Sequence, residues 1–199
     1  DKAENYPVTD GFYSAYSPEF SADNKFLYYV ADKTFNPSFG NFEYNFQYNN
    51  MSSIFGVTLQ DTILQPFAIY KNDVVESQLD VKDKKDTDKK INKDKDNLDL
   101  NLRIDLNGIK DREFELPITA SNYGSLYSAK GNRLYYSRMQ RGSGSKLYYY
   151  DFDNLEEKEV GDVSSYTISF DGKTILYTNR GEYYITKLGD KLNGKDGKI

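Results

Sequence analysis

Two pairs of carboxylates, Glu113 with Glu115 and Asp151 with Asp153, are spaced as acid-base residues could be. Paired carboxyls are what glycoside hydrolysis needs. In a strand, however, positions i and i+2 share a face, so such pairs arise freely on solvated edges and read as surface charge. Gly142-Ser143-Gly144-Ser145-Lys146 suggests a phosphate loop, but it lacks the Walker spacing and joins two strands instead of opening a helix. Asp151-Phe152-Asp153-Asn154-Leu155-Glu156 begins like a calcium loop and then fails, because its fifth position is Leu155 and its sixth is not Gly. Asp83, Asp86 and Asp88 are opposed by Lys82, Lys84, Lys85, Lys89 and Lys90. No metal and no cofactor is assigned. The chain has no His and no Cys, which excludes a self-contained Ser-His-Asp or Cys-His triad, thiolate and imidazole metal sites, and disulfides. No catalytic residue is assigned.

Binding is the better use of what remains. In Asn41-Phe42-Glu43-Tyr44-Asn45-Phe46-Gln47-Tyr48-Asn49, aromatic and polar residues alternate strictly. That period of 2 predicts an extended segment with Phe42, Tyr44, Phe46 and Tyr48 on one side. With Phe35 and Phe39 just before them, these rings either pack as a flap on a blade or serve domain docking or a peptide path. Arg138, Arg141 and Arg180 fall in or beside loops expected on the same face, where they could form a cationic spot for a peptide carboxylate.

The elements that must position these residues repeat. Ser21-Ala22-Asp23-Asn24-Lys25-Phe26-Leu27-Tyr28-Tyr29-Val30 is a polar turn feeding an apolar run. Ser128-Ala129-Lys130-Gly131-Asn132-Arg133-Leu134-Tyr135-Tyr136-Ser137 and Ser169-Phe170-Asp171-Gly172-Lys173-Thr174-Ile175-Leu176-Tyr177-Thr178 return to the same pattern. Turn residues that tolerate positive φ make each copy a hairpin. The last two copies lie 41 residues apart, close to the ~40 to 45 residue period of four-stranded propeller blades. In the first copy Phe26, Tyr28 and Val30 face one way and Leu27, Tyr29 and Ala31 the other. Both faces are apolar, as in a blade stacked between neighbours. With 19 Tyr and 12 Phe but no Trp, the core is built from β-favouring aromatics. Net charge is −5, which disfavours a nucleic-acid partner, and no apolar run is long enough to span a bilayer.

The expected fold is all-β, a β-propeller fragment of about three four-stranded antiparallel blades plus a stray edge strand at residues 6–11. Residues 1–188 form the partial propeller. A first blade region, 12–117, contains the aromatic insertion 32–50 and a solvated or disordered loop at 76–100, which holds seven Lys, seven Asp and one Glu. Within this region, alternation over residues 101–106 and the Asn107-Gly108 turn predict a hairpin into residues 112–116. A second blade spans 118–160. A third, 161–188, lacks its fourth strand, and 189–199 reads as a linker tail. Three blades cannot close a ring.

Taken in order, these residues resemble the propeller region of the tricorn protease family. Ser17-Pro18-Glu19-Phe20-Ser21-Ala22-Asp23-Asn24-Lys25 is similar to the family's Ser-Pro-x-Phe-Ser-Pro-Asp-Gly-Lys turn, departing at Ala22 and Asn24. Asp32-Lys33-Thr34-Phe35-Asn36-Pro37, with Lys33 where the family has Arg, and the aromatic stretch up to Asn50-Met51 continue the likeness. Asp105-Leu106-Asn107-Gly108-Ile109 with Asp111-Arg112 completes it. The blade turn is shared with TolB-type and other propellers, whereas the Phe-Asn-Pro motif before an aromatic insertion is more specific. The resemblance implies the closing blades of a second propeller, ahead of a PDZ domain and a serine-peptidase core that carries the catalytic residues. It further implies roles in peptide access, substrate filtering and domain packing. Partners would be the rest of the same polypeptide and peptides, and the isolated piece would self-associate. The rival reading is a free-standing TolB- or WD-type propeller that binds a protein or glycan. Cytoplasm and periplasm both stay open.

Overall fold

The computed structural model describes residues 4–35, 37–39, 46–67, 102–140, 142, 144–189, 191–192, 194 and 197–199. The Lys- and Asp-rich loop lies outside them.

Strands β1 (Ala15–Phe20), β2 (Phe26–Ala31), β5 (Ser53–Thr58) and β6 (Glu113–Glu115) make one antiparallel sheet in that order, blade 1. Between β2 and β5, β3 (Pro37–Phe39) and β4 (Phe46–Tyr48) pair as a separate two-stranded ribbon. Blade 2 follows as β7 (Asn122–Ala129), β8 (Arg133–Gln140), β9 (Gly144–Asp151) and β10 (Glu156–Asp162), and blade 3 as β11 (Ser165–Ile168), β12 (Thr174–Asn179) and β13 (Glu182–Lys187). Within each blade the strands pair in chain order, with the β3–β4 ribbon inserted between β2 and β5 of blade 1, so every blade is a meander.

The blades stack face to face, and each apolar face finds the next. Phe26, Tyr28 and Val30 of β2 join Ile54, Phe114 and Leu116 against Leu134, Tyr136, Tyr148 and Tyr150 of blade 2. On the opposite side of blade 2, Tyr135, Leu147 and Tyr149 meet Ile168, Ile175, Tyr177 and Tyr184 of blade 3. Leu27, Tyr29 and Ala31, on the other face of blade 1, pack with Phe55, Val57, Ile109 and Val8. The two-faced alternation read in β2 therefore places each residue correctly. In blade 1, Gly56 lies opposite Phe114, and the ring crosses so closely that a Cβ at Gly56 would meet its Cζ at 2.5 Å.

Polar bonds tie the inner strands across the blades. The Ala22 N–H donates to Ser128 Oγ (3.0 Å) and the Ser128 N–H to Glu19 Oε1 (3.0 Å). Tyr127 O–H donates to the Ser169 carbonyl at 2.9 Å, and Tyr166 O–H to that of Ser125. Burial raises the Glu19 carboxyl above its ordinary range, against the Ser128 N–H that lowers it.

The three hairpin turns are not alike. In the first, Ser21 Oγ receives the N–H groups of Lys25 and Phe26 and donates to Asp23. In the third, Ser169 and Asp171 repeat that arrangement with Lys173 and Thr174. The middle turn has no Asp. It closes as a three-residue loop between Ala129 and Arg133, with Gly131 and Asn132 both at positive φ.

Three expectations are corrected. Residues 6–11 form no strand and run as bends and irregular chain. Residues 102–106 are not a strand either, because Arg112 donates to the carbonyls of Asp105 and Asn107 and fills the place of a ladder. Asn107-Gly108 leads instead into a 3-10 turn, Ile109–Arg112, and β6 then pairs with β5. The tail, expected as a linker, folds back. Leu192 N–H bonds the Val160 carbonyl, Ile185 N–H bonds that of Gly197, and Tyr184 and Lys198 form an antiparallel bridge on the open edge of β13. The backbones approach so closely that a Cβ at Gly197 would come 1.8 Å from the Ile185 oxygen. Free strand edges recruit whatever backbone can reach them.

Candidate functional site

The aromatic insertion is a ribbon in which Pro37 pairs with Tyr48, Ser38 with Gln47 and Phe39 with Phe46. Phe42 and Tyr44 lie outside the described residues. The Phe35 and Tyr48 rings meet at a tilt of 49° with centroids 5.9 Å apart, yet 75% of Phe35 and 53% of Tyr48 stay exposed. Blade 1 holds the ribbon's base. Tyr16 O–H contacts Ser52 Oγ at 2.9 Å, Ser52 donates to Asp32 at 2.6 Å, and Thr34 N–H donates to the Met51 carbonyl. Lys33 pairs with Glu113 at 2.5 Å and lies over the Phe55 ring.

Of the sequence-named arginines among the described residues, Arg138 lines a cleft beside this ribbon and Arg180 does not. Arg141 lies outside the described residues, and Arg180 is exposed in the β12–β13 turn at φ 50°. The cleft, about 680 Å³, opens between blades 1 and 2. Its lining includes Asn49 and Asn50 directly after the ribbon, Ser121 and Asn122 at the start of β7, Gln140 at the end of β8, and Glu157. At its base the backbones of Ser52 and Ser121 exchange two 3.0 Å hydrogen bonds.

Arg138 is not a free cation. Its Nη1 donates to both Glu157 oxygens at 3.0 Å and its guanidinium lies 3.8 Å from the centre of the Tyr148 ring. Burial lowers its pKa, but Tyr148, Tyr123 and Glu157 outweigh that and leave it raised. Tyr136 donates to the same Glu157, and burial first, then Glu157, raises its hydroxyl pKa. Tyr123 is pushed up to about 12, chiefly by burial. Further out, Lys146 bonds Glu159, which also receives Tyr148 O–H, and Lys146 holds the Glu159 carboxyl low against the effect of burial. Sequence reading missed Glu157 and Tyr148. Tyr136 and Arg138, two apart on β8, share a face, and a cross-strand partner of opposite charge is the signal that could have found Glu157.

The other sequence candidates are structural. Glu113 is engaged by Lys33 and Tyr29. Asp151 is buried and caps its turn, accepting the N–H groups of Asp153 and Asn154 and facing Arg133. Asp153 accepts from Asn132. Gly142 and Gly144, both at positive φ, form part of the β8–β9 turn. Among the described residues, no three carboxylates converge as a metal site would require. A second cleft, about 1040 Å³, lies on the hairpin-turn side of the same two blades, with Phe26, Tyr28, Ile63 and Phe152 among its lining and Lys25 and Lys130 on its turns.

Antiparallel sheets stacked face to face, each entered by its innermost strand, define a segment of a β-propeller. Residues 1–189 match the family described as the tricorn protease second beta propeller domain, and the chain belongs to that family. It is 24% identical to the tricorn protease of Thermoplasma volcanium over 197 residues, covering 93% of this chain and 17% of that protein. It is 25% identical to a tricorn protease homolog of Saccharolobus solfataricus over 178 residues, covering 85% of this chain and 14% of that one. A crystal structure of the tricorn protease superposes with a TM-score of 0.66 at 19% identity, over 92% of this chain and 17% of the solved one, and so shares its fold. The chain thus spans a small part of the length of the relatives it matches.

Proposed function

We propose that this chain is a non-catalytic propeller segment of a tricorn-like serine peptidase, contributing to peptide access, substrate filtering and domain packing. The observation that carries this reading is family membership over residues 1–189, together with relatives in which the matched region makes up 17% of the length. Catalysis then belongs to other parts of a longer polypeptide, whose further blades, PDZ domain and peptidase core are the partners proposed. The exposed pair Phe35 and Tyr48 supports a docking or peptide-path role, since rings packed as a flap are covered. Phe170, Tyr183 and Ile185, exposed on blade 3, suit a further blade, and in the isolated chain a second copy takes that place.

The test uses the longer polypeptide with Phe35→Ser and Tyr48→Ser together. Hydrolysis of a short fluorogenic peptide is expected to persist while turnover of a long unfolded substrate changes several-fold, and the pure 199-residue chain is expected to hydrolyse neither. Turnover by the pure chain, or equal effects on both substrates, overturns the proposal.

A further inference from the structure

We propose that the second cleft, on the hairpin-turn side of blades 1 and 2, binds a small aromatic carboxylate that carries a neutral hydrogen-bond acceptor at its far end. The site lies at the opposite end of β2 from the aromatic ribbon, so it is separate from the surface assigned to peptides. Three observations carry it. First, the cleft ends on rings. Tyr28 stacks on Phe26 at 5.9 Å and on Phe152 at 5.6 Å, and Ile63 and the 77% exposed Leu64 add aliphatic walls. A flat apolar body is what such a floor covers best.

Second, one buried hydroxyl faces this space without a partner. Tyr28 is 2% exposed, and its hydroxyl makes no hydrogen bond among the described residues. Unlike the fully sealed Nε of Arg138, it keeps contact with the cleft it lines. Burial raises its pKa and Asp23 raises it further, so it is a donor at neutral pH. The same Asp23 repels a second anion, which is why the acceptor that meets Tyr28 is neutral. A donor that has lost water and gained no acceptor is a cost that an arriving ether or carbonyl oxygen removes.

Third, the opposite wall carries an uncompensated cation. Two residues after the turn serine, blades 1 and 3 have Asp23 and Asp171, and blade 2 has Lys130. The acid is dispensable there because Gly131 and Asn132 close the turn at positive φ. Lys25 is matched by Asp23 at 3.0 Å and Arg133 by Asp151 at 3.4 Å, whereas Lys130 has no acid within ion-pair distance among the described residues. On a chain of net charge −5, that leaves a local positive rim to attract a carboxylate. The volume, about 1040 Å³, is at the upper end of the usual range for ligand sites.

The probe is 6-methoxy-2-naphthoate, compared with its methyl ester, which lacks the charge, and with 2-naphthoate, which lacks the acceptor. Each is titrated into the nitrogen-15-labelled 199-residue chain, with the Lys130, Gly131 and Phe152 amides as reporters. The methoxy acid is expected to bind about tenfold tighter than the ester and about fivefold tighter than 2-naphthoate, as one ion contact and one hydrogen bond do. Lys130→Glu, a change at an exposed position, is expected to abolish the first preference. Tyr28→Phe is expected to abolish the second and to leave the urea midpoint unchanged or raised, since it removes an unsatisfied donor. No movement at millimolar methoxy acid, equal binding of that acid and either comparison compound, or survival of either preference in its variant overturns the proposal. So does a lowered urea midpoint in Tyr28→Phe, which would mean that the hydroxyl is already satisfied. Failure here leaves the size preference of the longer polypeptide untouched, because that preference is read from hydrolysis.

Discussion

Blades 2 and 3 share the hairpin but not its surroundings. Blade 2 is covered on both faces, so Tyr136 and Tyr149 have no exposed surface, whereas blade 3 leaves Tyr183 and Ile185 about half exposed. Burial here is thus a property of stacking and not of the strand. Two adjacent residues of β12 isolate the effect. Ile175 points into the blade 2 interface and is fully buried, while Leu176 points the other way and is 36% exposed. Ile175→Ala is expected to cost about 2–5 kcal/mol, the usual range for large-to-small changes in a core. Leu176→Ala is expected to cost under about 1 kcal/mol. Urea unfolding of the two variants checks this, and equal costs would break the comparison.

The ion pairs differ in the same sense. Arg138 with Glu157 in blade 2 is mostly buried, while Lys198 with Glu182 at the blade 3 edge is half exposed. Glu157→Gln leaves a cation in a poorly solvated place and is expected to cost about 3 kcal/mol, at the lower end for a broken buried pair. Glu182→Gln is expected to cost far less than Glu157→Gln and to lose even that at high salt. Chemical denaturation at low and high salt separates them.

A third contrast concerns the outer edge. Blade 2 has a full fourth strand in β10, and blade 3 borrows residues 197–199 through a bridge at Lys198. Gly197 sits at φ 77° with no room for a Cβ beside Ile185. Gly197→Ala is expected to release the tail at a global cost of about 1 kcal/mol. Faster hydrogen exchange at the Ile185 and Ile199 amides, with β8 and β9 unaffected, is the measurement. Unchanged exchange would mean that the tail is not held there.

Much of the fold was legible because blades obey a local rule. Alternation in Phe26-Leu27-Tyr28-Tyr29-Val30 placed every residue on its observed face, since strand sterics alone fix that period. Ile175 and Leu176, by contrast, are equally apolar in sequence. Which of them is covered depends on a neighbouring sheet, and no local pattern encodes that. The misread hairpin at residues 101–108 has a similar cause. Asn107-Gly108 does turn the chain, but Arg112 satisfies the carbonyls that a partner strand was expected to bond. In the cleft, Arg138 was nominated as a free cation because its partner, Glu157, lies 19 residues away on another strand. The polar, Gly-rich composition of the tail signals a lack of core residues, and it gives no sign that backbone alone will pair it to β13.

The smallest effect is the one that tests the turns. Blades 1 and 3 enter through Ser-Asp networks at Asp23 and Asp171, and blade 2 enters through a turn without a carboxylate. The Asp171 carboxyl is held below its ordinary value by Ser169 O–H first and then by the Lys173 N–H. Burial raises the Asp23 carboxyl, but Ser21 and Lys25 more than offset it and leave it lowered. For a lowered acid the folded state binds its proton less readily than the unfolded chain. Its stabilisation is therefore present above the unfolded value, about 3.9, and disappears as pH falls through the lower folded value. Asp171→Asn is expected to be less stable than the parent chain at pH 7, and the gap is expected to close as pH is lowered past that window. A gap of constant size from pH 7 to pH 2 would show that Asp171 acts by shape and not by charge.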